Sequence, residues 1–138
     1  MSKVEVTTYT FGKRFSETVL HELDPRYSRE TVTIAAGSGA VPFGAVLTRD
    51  DEGKYAPLKE TAGEQDAEST LGAAKAVYIG PDLEASDSDQ SALVLRGYSI
   101  INAANLVFDP SVTKKADALN ALRDLGFVVK EVPSDVDA

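Results

Sequence analysis

The chain contains no cysteine. That one absence removes disulfide stapling, thiol chemistry and cysteine-ligated zinc together. It fits a protein made and kept in a reducing cytoplasm. Histidine is almost missing too, since His21 is the only one. Without a thiol or a second imidazole, His21 reads as a surface residue and not as a catalyst, and no segment resembles a nucleophile elbow. No apolar run approaches the roughly 20 residues that a membrane helix needs. The start, Met1-Ser2-Lys3-Val4-Glu5, lacks the apolar centre of a signal peptide, so none is expected. Basic residues are also short: 14 lysines and arginines face 22 aspartates and glutamates, a net charge of −8. A surface of that sign repels phosphate backbones, and no basic stripe or aromatic stacking platform interrupts it. Neither nucleic acid nor membrane is an expected partner.

What remains is globular. The 138 residues are one domain's worth of chain, and 43% of them are hydrophobic, enough for a real core. No internal repeat is visible. The expected division is an N-terminal arm over 1–20 that is flexible until bound, one β-rich domain over 21–134 and an acidic tail over 135–138.

In the arm, Val4, Val6 and Thr8 alternate with Glu5, Thr7 and Tyr9, and Phe11 and Phe15 flank the basic pair Lys13-Arg14. The period of two fits a strand, but no turn pairs it with the next segment. Two readings stand: a frayed terminal tail, or an arm that adds a strand to a partner's sheet edge.

From residue 30 the pattern turns to β-structure. Thr31-Val32-Thr33-Ile34 is β-branched throughout and suits a pleated surface. Gly37 and Gly39 permit a positive-φ turn. Pro42 and Gly44 lead into a second strand over 45–48, and Asp50-Asp51-Glu52-Gly53 is a turn ending on the glycine a hairpin wants. Tyr55 opens a third strand, which Pro57 confines to an edge or a strand end. Residues 61–70 read as loop, 73–79 as strand, 92–95 as strand, and 98–101 as its continuation beyond Gly97. Residues 102–108 suggest a short helical turn.

A helix over about 113–125 follows. Val112, Ala116, Leu119, Leu122 and Leu125 recur at three or four residues, one apolar stripe, with Ser111 or Thr113 as N-cap and Gly126 as left-handed C-cap. Phe127-Val128-Val129 returns as a strand.

The acidic stretch Asp82-Leu83-Glu84-Ala85-Ser86-Asp87-Ser88-Asp89 invites comparison with a calcium loop. It lacks the central glycine and the flanking helices of an EF-hand, and reads as a solvated loop. Gly37-Ser38-Gly39 lacks the lysine and helix start of a phosphate loop. No catalytic, metal or cofactor residues are assigned.

Taken in order, these segments resemble the lambda-type phage head decoration proteins, the cement proteins of tailed-phage capsids. The resemblance is carried by Ser28-Arg29-Glu30 leading into Thr31-Val32-Thr33-Ile34, Gly37-Ser38-Gly39, Pro42-Phe43-Gly44, Lys54-Tyr55-Ala56-Pro57-Leu58, Asn105-Leu106-Val107-Phe108, the alanine- and leucine-rich helix, and Leu125-Gly126-Phe127-Val128-Val129. It runs from about Ser28 to Lys130. The stretch Leu71 to Gln90 departs from it, carrying Lys75 and the acidic run where more apolar strand is expected.

The resemblance implies a mainly β, bent-ribbon, β-clip-like fold with a small α part and no cofactor. It implies homotrimers that bind the major capsid protein at three-fold and quasi-three-fold positions of the expanded shell and hold it against packaged DNA. Localisation would be the outer surface of the virion, after synthesis in the bacterial host cytoplasm. On that reading the arm residues expected to anchor the capsid are Val4, Val6, Tyr9, Phe11 and Phe15. Two rivals stand beside it. One is a trimeric protein of the phage tail or fibre. The other is a metal- or ligand-binding or hydrolytic β domain using the Asp82 to Asp89 loop.

Overall fold

A computed structural model describes residues 15, 17–61, 63 and 69–131. Its elements are β1 (Val19–Glu22), α1 (Pro25–Ser28), β2 (Arg29–Ile34), β3 (Val46–Arg49), β4 (Tyr55–Pro57), β5 (Glu60–Thr61), β6 (Thr70–Leu71), β7 (Ala76–Tyr78), β8 (Gln90–Leu95), β9 (Ser99–Asn102), a 3₁₀ turn (Ala103–Asn105), α2 (Lys115–Asp124) and β10 (Phe127–Lys130). The chain is mainly β, with a C-terminal helix followed by a strand.

Five strands close into a small barrel in the order β2-β4-β3-β7-β8. The longest seam is β2 against β8, antiparallel from Arg29↔Leu95 to Ile34↔Gln90. Closure comes from a single parallel pair, Ile34↔Tyr55. Pro57 ends β4, where a residue without an N–H disturbs the ladder least. The β3–β4 turn is built as its sequence suggests: the Asp50 carboxylate accepts from Glu52 N at 2.8 Å and Lys54 N at 2.9 Å, and Gly53 takes φ 84°.

A second sheet, β1-β9-β10, lies outside the barrel; β9 is antiparallel to β1 and parallel to β10. Two cores result, and alternation along the barrel strands divides residues between them. Leu47, Ala76, Tyr78 and Val94 join Ile34, Val41 and Tyr55 in one cluster. Their neighbours Val46, Val77, Ile79 and Leu95 join Ile101, Leu122 and Phe127 in the other. Strand β7 is therefore covered on both faces and all three of its residues are buried. This explains the Leu71 to Gln90 departure: short as it is, the apolar part of that stretch is the most enclosed strand of the fold.

Several expectations need correction. Strand β1 begins at Val19, so Val19 and Leu20 of the range assigned to the arm belong to a sheet. Helix α1 was not anticipated, although Asp24-Pro25 is a helix-start signal: Asp24 Oδ1 accepts from Arg26 N at 2.9 Å and Pro25 occupies the first turn. Glu60, Thr61, Thr70 and Leu71 form a two-stranded ladder where a loop was expected. In α2 the buried positions are Ala118 and Leu122, while Ala116 is exposed. Val112 precedes the helix on non-helical backbone, so a 3.6 period counted from it is out of phase. Neither Ser111 nor Thr113 caps α2 through its side chain; the Glu60 carboxylate does so instead, accepting from Thr113 N at 2.8 Å and Lys114 N at 3.0 Å. The left-handed Gly126 is as expected, with φ 97°.

Candidate functional site

The most distinctive surface is the outer face of β1-β9-β10. Register places His21, Ile100 and Val128 in one row across the three strands. The adjoining rows, Val19-Ile101-Val129 and Glu22-Ser99-Phe127, turn toward the core. Leu23 and Tyr98 flank the outward row, tied by Leu23 N donating to Tyr98 O at 3.0 Å. Leu23 is 73% exposed, Val128 50% and Tyr98 49%, and the residues line a groove of about 280 Å³. None of them is acidic, in a chain of net charge −8.

Tyr98 is held there at a conformational cost. Its φ of 56° is the one positive value among the described non-glycine residues. An aromatic side chain in the left-handed region is strained by about 1–2 kcal/mol. Its neighbour Gly97 (φ 150°) lies so close to the end of α2 that a Cβ there would sit 2.3 Å from the Leu125 carbonyl oxygen. The close crossing of the β8–β9 connection over the end of α2 thus constrains the turn that carries Tyr98.

The N-terminal segment enters the fold at a firmly held base. The side-chain amides of Asn102 and Asn105 both donate to the Glu17 carbonyl, at 3.1 and 2.9 Å, and Thr18 is buried. Phe15 is half-buried, its ring 6.2 Å from that of Phe43, with the Arg29 guanidinium 5.3 Å above it. Arg29 is itself fixed by a forked pair to Glu22, at 2.8 and 2.7 Å, while Ser28 Oγ donates to the same carboxylate at 3.0 Å. The Arg29 hydrogen bond holds the Glu22 carboxyl below its ordinary pKa against the opposing effect of burial. Of the five proposed anchoring residues, Phe15 therefore packs against this chain's own body. Val4, Val6, Tyr9 and Phe11 lie outside the described residues.

The acidic loop does not gather its carboxylates. Asp82 Oδ1 accepts from Phe43 N at 2.8 Å, whereas Asp89 accepts from Ala36 N at 2.9 Å and pairs with Lys54 at 3.0 Å. Among the described residues no group of three or more histidine or carboxylate side chains converges as metal ligands would. Ser38 Oγ donates to Ala35 O at 2.6 Å, closing the Gly37–Gly39 turn on itself. His21 lies exposed on the apolar sheet face. Among the described residues no helix is long and apolar enough to cross a membrane.

Leu23, Tyr98 and Val128 escaped the sequence reading for a physical reason. In β9 Ser99, Ile101 and Asn102 are buried and Ile100 is half-buried, so polarity along the strand does not tell its open face from its core face.

Fold and surface together define a class: a small β-barrel protein carrying a second sheet whose open face is apolar. A family model, bacteriophage lambda head decoration protein D, matches residues 8–127. The chain belongs to that family, and its role is that of a phage capsid decoration protein, a structural component of the virion. The match begins well before Ser28 and so takes in part of the arm. A search of curated proteins finds no match.

Proposed function

We propose that this protein is a trimeric cement, seated on the outside of the expanded phage capsid at three-fold and quasi-three-fold positions. There it contacts the major capsid protein through its N-terminal arm and stabilises the shell against the pressure of packaged DNA. It acts by binding alone, without catalysis or a cofactor, and is made in the host cytoplasm.

One observation besides family membership supports this most: the acid-free, apolar face of Leu23, Tyr98, Ile100 and Val128. The occupant we assign to it is a second copy of the chain. Copies carrying −8 each repel one another, and this face is where two can meet without opposing like charges. Around a three-fold axis the contact is head-to-tail, so this face meets a different surface of the next copy and the ring closes at three.

Trimerisation also explains how weak arms suffice. Three arms on one body engage the shell together, and effective concentration gains about 10²- to 10⁴-fold in avidity without any new contact. A ligand that binds only the expanded lattice stabilises that lattice by about 1.4 kcal/mol per tenfold excess over Kd. The acidic charge is harmless outside a protein shell that separates it from the genome.

Purified protein mixed with expanded, undecorated heads tests the reading directly. Added density at three-fold positions in electron micrographs is expected. Heads that remain bare, or label on the tail instead, would overturn it.

A further inference from the structure

Strand β2 is fully paired along one edge only. Its whole length runs against β8, but on the opposite edge the ladder to β4 is the single pair Ile34↔Tyr55. Beyond that pair, Ala35 N donates to Tyr55 O at 2.9 Å. The groups left open follow from the alternation of an antiparallel ladder. Arg96 N donates to Ser28 O at 2.8 Å, so at every second residue Glu30, Val32 and Ile34 also turn their backbone groups toward β8. Thr31 and Thr33 turn theirs toward the opposite edge. Among the described residues no ladder partner stands against Thr31 there. A row of open N–H and C=O groups along a strand is a template for another strand.

The space beside this edge is a cleft of about 730 Å³, bounded across from β2 by the β3–β4 turn and Tyr55. Its charge is mainly of one sign: Glu30, Asp50, Asp51 and Glu52 line it, against Arg49 alone. The Asp50 carboxylate is occupied by the turn amides, whereas Asp51 and Glu52 are exposed beside it. Acidic side chains along an open edge repel another copy of a chain whose net charge is −8. The same side chains favour a strand that carries lysine or arginine.

We infer that this cleft is a docking site for an extended segment of a different protein, bearing lysine or arginine, which adds as a strand to the open edge of β2. Its backbone pairs with Thr31 and Thr33, and its cations lie against Asp51 and Glu52. Main-chain hydrogen bonds supply affinity, and the acidic turn selects the partner. The site is separate from the apolar sheet face and depends neither on the arm nor on the trimer.

The probe is the peptide acetyl-Lys-Val-Lys-Val-Lys-Val-amide, titrated into the isotope-labelled full chain at low ionic strength. The amide resonances of Thr31 and Thr33 should shift saturably and their hydrogen exchange should slow. The same peptide with glutamate in place of lysine should bind weaker by about tenfold or more. Thr31→Pro removes an outward N–H while sparing the β8 ladder, a position where an edge strand tolerates proline. It should weaken binding by about tenfold, with the β8 amides unmoved. Wild-type resonances of Thr31 and Thr33 that stay fixed at millimolar peptide, or equal binding of the glutamate peptide, would overturn the inference without recourse to any variant. Shifts of these amides with the protein's own concentration, in the absence of peptide, would make the occupant a second copy and overturn it equally.

Discussion

The carboxylate of Glu60, in a two-residue strand, caps helix α2 by accepting the backbone N–H of Thr113 at 2.8 Å. The same carboxylate takes Lys114 N at 3.0 Å and the hydroxyls of Thr113 and Ser69. Lys114 Nζ closes the arrangement by donating to Ser69 O at 2.7 Å. Helix α2 is thus tied at its start to the small β5–β6 ladder. A charge at this position also suits the positive end of the helix dipole.

Stability should therefore fall in acid. Hydrogen bonds from Ser69 and from the Thr113 and Lys114 amides lower the Glu60 pKa from 4.5 to about 2. The folded-state pKa is depressed, so its contribution is complete above pH 4.5 and is lost as pH falls toward 2. Glu22, Asp89 and Asp109 are lowered too and act in the same direction. Thermal melts followed by circular dichroism from pH 7 to pH 2 should show the midpoint dropping through this window. Glu60→Gln should lower the midpoint at pH 7 and flatten the profile below pH 4.5. An unchanged slope would show that the cap contributes nothing.

The crossing at Gly97 makes a second prediction. A Cβ at this residue meets backbone, the Leu125 carbonyl at 2.3 Å, and backbone cannot swing aside as a flexible side-chain tip can. Gly97→Ala must displace the end of α2 or the β8–β9 turn, at a cost of about 3 kcal/mol from clash and strained φ together. Gly53→Ala is the control. Its φ is 84° but a Cβ there meets nothing within 4 Å, leaving a conformational cost of about 1 kcal/mol. Urea denaturation midpoints should rank the two in that order.

Much of this architecture is readable in the residues, and the unread parts share a cause. The β-branched run before Ile34, the Asp50–Gly53 turn and the Gly126 cap are signals contained within a few residues, and each stands where its chemistry places it. The cap of α2 was invisible because its acceptor lies 53 residues away, in a segment with no period of its own. Strand β1 has only four residues, and its partners are the distant β9 and, through Glu22 and Arg29, β2. The apolar face was hidden because the side chains on it are ordinary; only the register of three strands brings Leu23, Tyr98 and Val128 together.

Tyr98 offers a third prediction, since its ring is half exposed while its backbone is held in the left-handed region. Asparagine tolerates the left-handed region far better. Tyr98→Asn should leave the monomer as stable as the wild type or up to about 1 kcal/mol more so. Self-association should weaken in the same variant, measured by sedimentation equilibrium. Leu23→Ser and Val128→Ser should behave similarly, changing stability by no more than about 0.5 kcal/mol because both residues are exposed. Variants that associate as well as the parent would remove the sheet face from the interface.

The last prediction concerns where the arm ends. A truncation through residue 18 would remove Glu17, whose carbonyl is held by two asparagines, and buried Thr18, so it would confuse loss of fold with loss of binding. Cutting before Phe15 avoids this, leaving the Phe15–Phe43 contact and the Arg29–Glu22 pair in place. The chain lacking residues 1–14 should melt within a few degrees of the full chain. Its affinity for expanded heads should fall by about 10²-fold, because three arms are lost at once and with them the avidity that multiplies each weak contact. Pelleting of heads with increasing concentrations of each form measures the difference. A truncated chain that decorates as tightly as the whole would place the binding energy in the barrel, and the alternating valines of the arm would need another purpose.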